Sequence, residues 1–375
     1  MRIAVNTRLL IPNKMEGIGW FAYETLKRIV LSHPEVEFIF IFDRKPHRDF
    51  IFAENVVPVV AYPQARHPIL WFLYFEFGVY RVLKKYKPDL FFSPDGWLSL
   101  RSKCNQLTVI HDLNFEHYPQ FIPYHVRKYY HYFFPKFAHK ATRIATVSEF
   151  TKSDIVRKYE VTPDNVDVVY NGVNQDFKQA SEAEISEIRN KYADGKPYFL
   201  FVGLIHPRKN LKNQIAAFLR MKDQSTSDLK YIVVGEKYSW DKAIDKLLSE
   251  SNHGEDVIFL GRQGREALIQ LYAGAFALTY VSYFEGFGVP LVEAMRSGIP
   301  FITSRSSSMP EIAGNCGLLV KPDSIDEISS AMINLFEDPA ARERMIACGV
   351  ERAEKFTWSQ AASGLWESML KTLNS

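Results

Sequence analysis

The sequence predicts an α/β protein built as two doubly wound domains, each a parallel sheet with helices on both faces. Three observations predict it. The chain has 375 residues, too many for one ordinary core and comfortable for two domains of roughly 150–200 residues each. Short β-rich apolar runs alternate along it with stretches of helical spacing, which is the pattern of βαβ units. A polar, acidic stretch, KQASEAEISEIRNKYADGKP, separates a first series of such units from a second.

The first series opens on RIAV (2–5) and an amphipathic helix around Gly19–Leu31. FIFIF (38–42), PDLFFS (88–93), QLTVIHD (106–112), RIATVS (143–148) and VDVVYNG (166–172) follow, each closed by polar or turn residues. Helices are predicted over Leu70–Tyr86 and Glu149–Tyr159, the latter with Ser148 as N-cap. The second series is YFLFVG (198–203), KYIVVG (230–235), VIFLG (257–261), FALTYVS (276–282), PFITS (300–304) and GLLV (317–320). A capping box, Ser324-Ile-Asp-Glu327, starts the next helix, and FTWSQAASGLWESMLKTL reads as a final amphipathic one. The polar stretch is the expected linker or domain edge, giving domains of 1–175 and 176–357. Strand C-termini then supply the binding sites.

Hydrophobic content of 47% and charge of 24% are those of a soluble globular protein. No run reaches the roughly 18 apolar residues of a membrane span, and MRIAVNTRLL reads as a buried strand rather than a signal peptide. Cys104, Cys316 and Cys348 form no metal-ligand or C-x-x-C spacing, so they are expected to stay reduced in a cytoplasmic protein. Residues 1–172 carry 23 Lys and Arg against 17 Asp and Glu, a net of +6 within an overall +3. That basic half is also aromatic: nine of the 21 residues from His117 to Phe137 are Phe or Tyr. Such a surface suits an anionic membrane face or a lipid-phosphate acceptor. A core helix with solvated cations is the structural alternative. A pI near 8.5 falls short of a nucleic-acid footprint.

The stretch FEGFGVPLVEAM (284–295) places two glutamates eight positions apart, with a Gly-Phe-Gly turn and Pro290 between them. Proline fits the first turn of a helix, so Glu285 belongs to a loop and Glu293 lies about one turn inside the helix. Gly286, Phe287 and Gly288 let backbone N–H groups approach a ligand. Carboxylates suit hydroxyls, and N–H groups at a positive helix end suit phosphate or sugar oxygens. A nucleotide sugar needs both. Capping and helix-dipole roles are the structural alternatives for the two glutamates.

The motif E-G-F-G-x-P-x-x-E-A-M resembles the E-x7-E motif of retaining family-4 glycosyltransferases, which have the GT-B fold. EGIGWF (16–21), HDL (111–113), TVSEFTK (146–152), YNGV (170–173), FVGLIHPRKN (201–210), VVG (233–235) and SSMPEIAG (307–314) match in order. The chain looks most similar to the bacterial mannosyltransferase-like branch. The resemblance implies two Rossmann-like domains facing a cleft, with helix 358–375 crossing back to the first domain. It implies that Glu293 binds ribose hydroxyls and that Glu285 contacts the donor sugar. Phe287 and Gly288 would offer N–H groups, and Arg208 and Lys209, after Gly203, would neutralise the departing diphosphate. Relatives often carry an arginine after Val-Gly, where this chain has Leu204. Gly17 and Gly19 resemble the glycine loop near the diphosphate, and His111 matches a histidine near the transferred sugar.

The expected reaction is retaining hexosyl transfer from a nucleotide diphosphate sugar, with GDP-mannose the reading of the branch. The acceptor would be a lipid-linked or oligosaccharide hydroxyl in surface polysaccharide synthesis. No cofactor and no metal are expected, since no D-x-D occurs. An epimerase or phosphorylase of the same architecture is the alternative enzyme. A periplasmic-type sugar-binding protein is the non-catalytic one.

Overall fold

Why two sheets form is visible in the strands themselves: YFLFV, KYIVV and EFIFIF are apolar on both faces, as strands buried between helix layers must be. A computed structural model describes all 375 residues. It divides into two compact units, Met1–Gly172 with Trp358–Ser375, and Val173–Thr357.

In the first unit seven parallel strands lie in the order β3-β2-β1-β4-β5-β6-β7. They are β1 (Arg2–Asn6), β2 (Glu37–Phe42), β3 (Val56–Val60), β4 (Leu90–Ser93), β5 (Asn105–Ile110), β6 (Arg143–Thr146) and β7 (Val166–Val168). Strand order reverses between β1 and β4, the point at which doubly wound sheets bind ligands. The Trp358–Leu373 helix belongs to this unit: Trp366 stacks on His33 at 3.8 Å, and Asn105 donates to the Thr372 carbonyl at 3.2 Å.

The second unit has six parallel strands in the order β10-β9-β8-β11-β12-β13. They are β8 (Tyr198–Val202), β9 (Lys230–Val234), β10 (Val257–Gly261), β11 (Ala277–Tyr280), β12 (Phe301–Ser304) and β13 (Leu318–Val320). Here the order reverses between β8 and β11, so the loops after these two strands lie side by side.

Several local expectations are corrected. Strand β3, VVPVV, is absent from the sequence reading because Pro58 argues against a strand; as an edge strand it tolerates proline. The Leu70–Tyr86 segment is not one α-helix but Pro68–Leu73, a π-helical Tyr74–Val79 and Tyr80–Tyr86. The polar stretch is no linker. Its helix, Glu182–Ala193, begins with a complete Ser181–Glu184 capping box and is held by Arg189, which donates to the Gly274 carbonyl at 3.0 Å. The division precedes residue 175 because Val173 already pairs with Thr357 and donates to the Phe356 carbonyl at 3.1 Å. At Ser324 half of the expected box forms, since Glu327 instead accepts from the Lys321 N–H.

Cys316 and Cys348 are joined in a disulfide, Cα to Cα 5.2 Å, against the expectation that all three cysteines stay reduced. The spacing of 32 residues carries no pairing signal, and cysteine usage therefore gives no argument for a reducing compartment. No helix is long and apolar enough to cross a membrane.

Candidate active site

The site in the second unit grows out of two loops at the strand-order reversal. After β8 comes Gly203 and then a 3-10 turn, Pro207–Lys209, which His206 caps by accepting from the Arg208 N–H at 3.2 Å. After β11 the chain runs through Glu285 to Gly288 and enters the Val289–Arg296 helix, with Pro290 in its first turn. Gly288 has φ +97°, and a Cβ there would lie 2.5 Å from Met309 Cε, so both backbone and packing require glycine.

The two loops are joined by charge. Glu285 Oε1 lies 2.7 Å from Lys209 Nζ, and Oε2 lies 3.1 Å from Arg208 Nη1. Lys209 also donates to the Tyr280 hydroxyl at 2.6 Å, and Arg208 donates to the Phe284 carbonyl. Glu285 is only 7% exposed. Burial alone would push its carboxyl up, but Arg208 and Lys209 pull it down to about 2. It is therefore a permanent anion between two cations, a group of net charge +1.

A serine cluster holds the glutamate loop from below. Ser307 Oγ accepts from the Glu285 N–H at 3.0 Å, and Ser308 Oγ donates to the Glu285 carbonyl at 2.9 Å. Asn210 ties the other side, donating to the Val281 carbonyl at 3.0 Å. Phe287 is buried edge-on against Phe356, with ring centres 5.5 Å apart.

Glu293 stands one turn into the helix, beside the buried Tyr272. Burial raises its carboxyl to about 7, moderated by Tyr272. The two glutamates of one motif are thus opposite in character: one is fixed as an anion by cations, and the other is poised to exchange a proton near neutrality.

Glycosyl transferases of group 1 match residues 183–352 of this chain by their family model, and glycosyltransferase family 4 matches residues 15–177. The chain belongs to these glycosyltransferases. It is similar to the O-antigen chain mannosyltransferase B of Escherichia coli, 27% identical over 366 residues that cover 94% of this chain and 95% of the relative. It is 28% identical to the O-antigen chain mannosyltransferase RfbU of Salmonella typhimurium, over 88% of this chain and 90% of the relative. The fold is GT-B. Anabaena Alr3699/HepE, solved in complex with UDP-glucose, matches with a TM-score of 0.77 at 17% identity, over 99% of this chain and all of that one.

For this glycosyltransferase the structure brings Gly203, Arg208, Lys209, Glu285, Gly286, Phe287 and Gly288 to one strand-order reversal, with Glu293 a turn deeper. Leu204 is 39% exposed, and the guanidinium that meets Glu285 is that of Arg208. Gly17, Gly19 and His111 lie in the first unit. Gly17 and Gly19 start the Gly17–Ser32 helix rather than forming a loop ahead of it. A Cβ on Gly19 would stand 3.0 Å from the Leu9 carbonyl oxygen, so packing accounts for that glycine, while Gly17 has open space. His111 Nε2 lies 2.8 Å from the Pro94 carbonyl oxygen. That oxygen can only accept, so Nε2 carries the proton and Nδ1 is left as an acceptor. Burial lowers the pKa of the ring, against that bond, and keeps it neutral.

Two groups escaped the sequence reading. One is Tyr280 with Ser307 and Ser308, whose signal was only a run of serines ahead of Met-Pro-Glu. The other surrounds the reversal in the first unit. Arg8 Nε lies 2.6 Å from Asp95 Oδ2 and its guanidinium 4.4 Å from the Trp97 ring centre. Asn6 donates to both Ser93 and Asp95 at 3.0 Å. Polar residues directly after β1 and β4, in VNTR and SPDG, were the available sign.

Proposed function

We propose that this glycosyltransferase moves a hexosyl group, mannose from GDP-mannose as the first reading, from a nucleotide diphosphate sugar to a hydroxyl of a lipid-linked or oligosaccharide acceptor. Its place is the synthesis of a bacterial surface polysaccharide. The observation that carries the reading is the Glu285–Arg208–Lys209 group at the strand-order reversal, where a net positive charge and helix N–H groups suit a diphosphate. The names of the two mannosyltransferase relatives support the sugar, and HepE with UDP-glucose supports a nucleotide-sugar donor.

The anomeric carbon–oxygen bond to the diphosphate breaks as the leaving group gains charge facing Arg208 and Lys209. The acceptor oxygen bonds to the same face of the anomeric carbon, and its proton passes to the departing phosphate oxygen. Configuration is retained, with Glu285 orienting the sugar rather than attacking it. Glu293 binds the ribose hydroxyls. The cations at positions 208 and 209 take the part a metal plays elsewhere, so chelator leaves activity intact.

Calorimetry with GDP, UDP and ADP in metal-free buffer tests the reading, followed by product analysis with the matching donor. Selective binding of one nucleotide that is lost in Glu293→Ala supports it. Chelator-abolished activity restored by manganese would overturn the metal-free reaction, and an inverted product would overturn retention.

A further inference from the structure

Two segments of the first unit are depleted of exposed acid. Residues 61–88 and 118–148 hold ten Lys and Arg and a single carboxylate, Glu76. Glu76 is 4% exposed and is occupied by the Leu100 and Arg101 N–H groups, at 2.7 and 3.2 Å. It therefore gives no negative charge to the surface.

The same segments expose apolar groups. Of the thirteen large hydrophobic residues exposed in the whole chain, six lie here: Tyr62, Ile69, Phe72, Phe77, Tyr124 and Tyr132. Ile69 is 68% exposed, Tyr124 60% and Tyr132 59%. Ring contacts join three of them, Phe72, Phe77 and Tyr132, into one stripe through Phe133. Phe72 lies 6.3 Å from Phe77 and 5.8 Å from Phe133, and Phe133 lies 4.8 Å from Tyr132, between ring centres. Positions 72 and 77 are five apart, a spacing that does not share a face in an α-helix. The π-helical Tyr74–Val79 segment brings them together while burying Tyr74, Phe75 and Glu76. Below the stripe, Trp71 stacks on Tyr130 at 5.9 Å, so the face is rigidly backed.

Cations lie over the exposed rings. Lys136 Nζ is 3.4 Å from the Tyr132 ring centre, Lys128 Nζ 4.6 Å from that of Tyr124, and the Arg101 guanidinium 5.0 Å from that of Phe77. Amphipathic rings with cations beside them and no exposed carboxylate match the boundary of an anionic bilayer, where rings enter the headgroup layer and cations meet lipid phosphates. We propose that the face built by Pro68–Val79 and Tyr124–Lys140 docks this protein onto an anionic lipid surface. It deepens the proposed function by naming where a lipid-linked acceptor is met, and only that purpose rests on the acceptor reading.

The test is co-sedimentation of the full chain with vesicles of phosphatidylcholine alone and of phosphatidylcholine rich in phosphatidylglycerol, at low and high salt. Partitioning should need the anionic lipid and fade with salt. Ile69→Ser with Phe72→Ser, and separately Lys128→Glu with Lys136→Glu, should each lower it at least about tenfold. Circular dichroism checks that each variant is folded. Transfer to a water-soluble acceptor and nucleotide binding should stay at the level of the unmodified chain, since none of these residues belongs to the site. Absent binding, equal binding to both vesicle types, or variants that bind undiminished would overturn the docking face while leaving the transfer reaction standing. Vesicle binding by a chain without transferase activity would do the reverse.

Discussion

Lys209 Nζ is shared between Glu285, at 2.7 Å, and the Tyr280 hydroxyl, at 2.6 Å. An ammonium has three protons, and two of them are directed at these partners. The loops after β8 and β11 are thereby tied into one charged group, with the Glu285 carboxylate held by both cations.

Glu285→Gln should separate rate from affinity. The group changes from net +1 to net +2 when the carboxylate is lost, so nucleotide diphosphate should bind as well as before or more tightly. The rate should nonetheless fall about 10²–10³-fold, as the sugar and both cations lose their orienting partner. Glu293→Ala should instead weaken nucleotide binding at least tenfold. Calorimetry beside steady-state kinetics reads both, and equal losses in both variants would contradict the division of roles.

Tyr280→Phe keeps the buried ring and removes one acceptor from Lys209. Loss of a hydrogen bond to a charged group is worth roughly 1.5–3 kcal/mol, so kcat should fall about tenfold or more with donor KM nearly unchanged. A matching rise in KM would mean that Tyr280 serves ground-state binding instead.

The two glutamates give opposite pH signatures. Glu293 moves from its ordinary 4.5 up to about 7, so folding disfavours its charge. Stability from this group is highest below 4.5 and declines as pH rises to about 7, by on the order of 2–3 kcal/mol. Glu285 moves from 4.5 down to about 2; its contribution is present above 4.5 and is lost as pH falls through 2. Thermal melts against pH should show the first slope vanish in Glu293→Gln. If the carboxylate of Glu293 holds the ribose, nucleotide binding near pH 6.5 should release a proton, seen by calorimetry in buffers of different ionisation enthalpy.

Gly288→Ala should fail for two reasons at once, positive φ and the collision with Met309 Cε. We expect a loss of about 1–3 kcal/mol in stability, together with weakened nucleotide binding, because the turn sets the helix start. A variant as stable as the parent would show that the turn can be rebuilt.

Much of the candidate site's local geometry was legible because its signals are local. A proline, two glycines and two glutamates within twelve residues define a loop and a helix start by themselves. The pairing of Glu285 with Lys209 spans 76 residues, and no local pattern says that these groups meet. Arg8 and Asp95, 87 apart, were missed for the same reason. The strands were legible where they are apolar throughout; β3 was hidden by Pro58, which only an edge position excuses. Gly17 and Gly19 were misplaced because glycine at a helix start and glycine in a loop look alike in one dimension.

The Trp358–Leu373 helix makes the second unit an insertion within the first. Synthesis and completion are thereby uncoupled. The Gly17–Ser32 helix, against which it packs, is made early yet must wait for Trp358–Leu373 to leave the ribosome. Buried Leu365 and Met369 are the last large apolar side chains its core receives, so the unit made first is the last to be sealed. The inserted unit can close its own sheet while the outer one is still open.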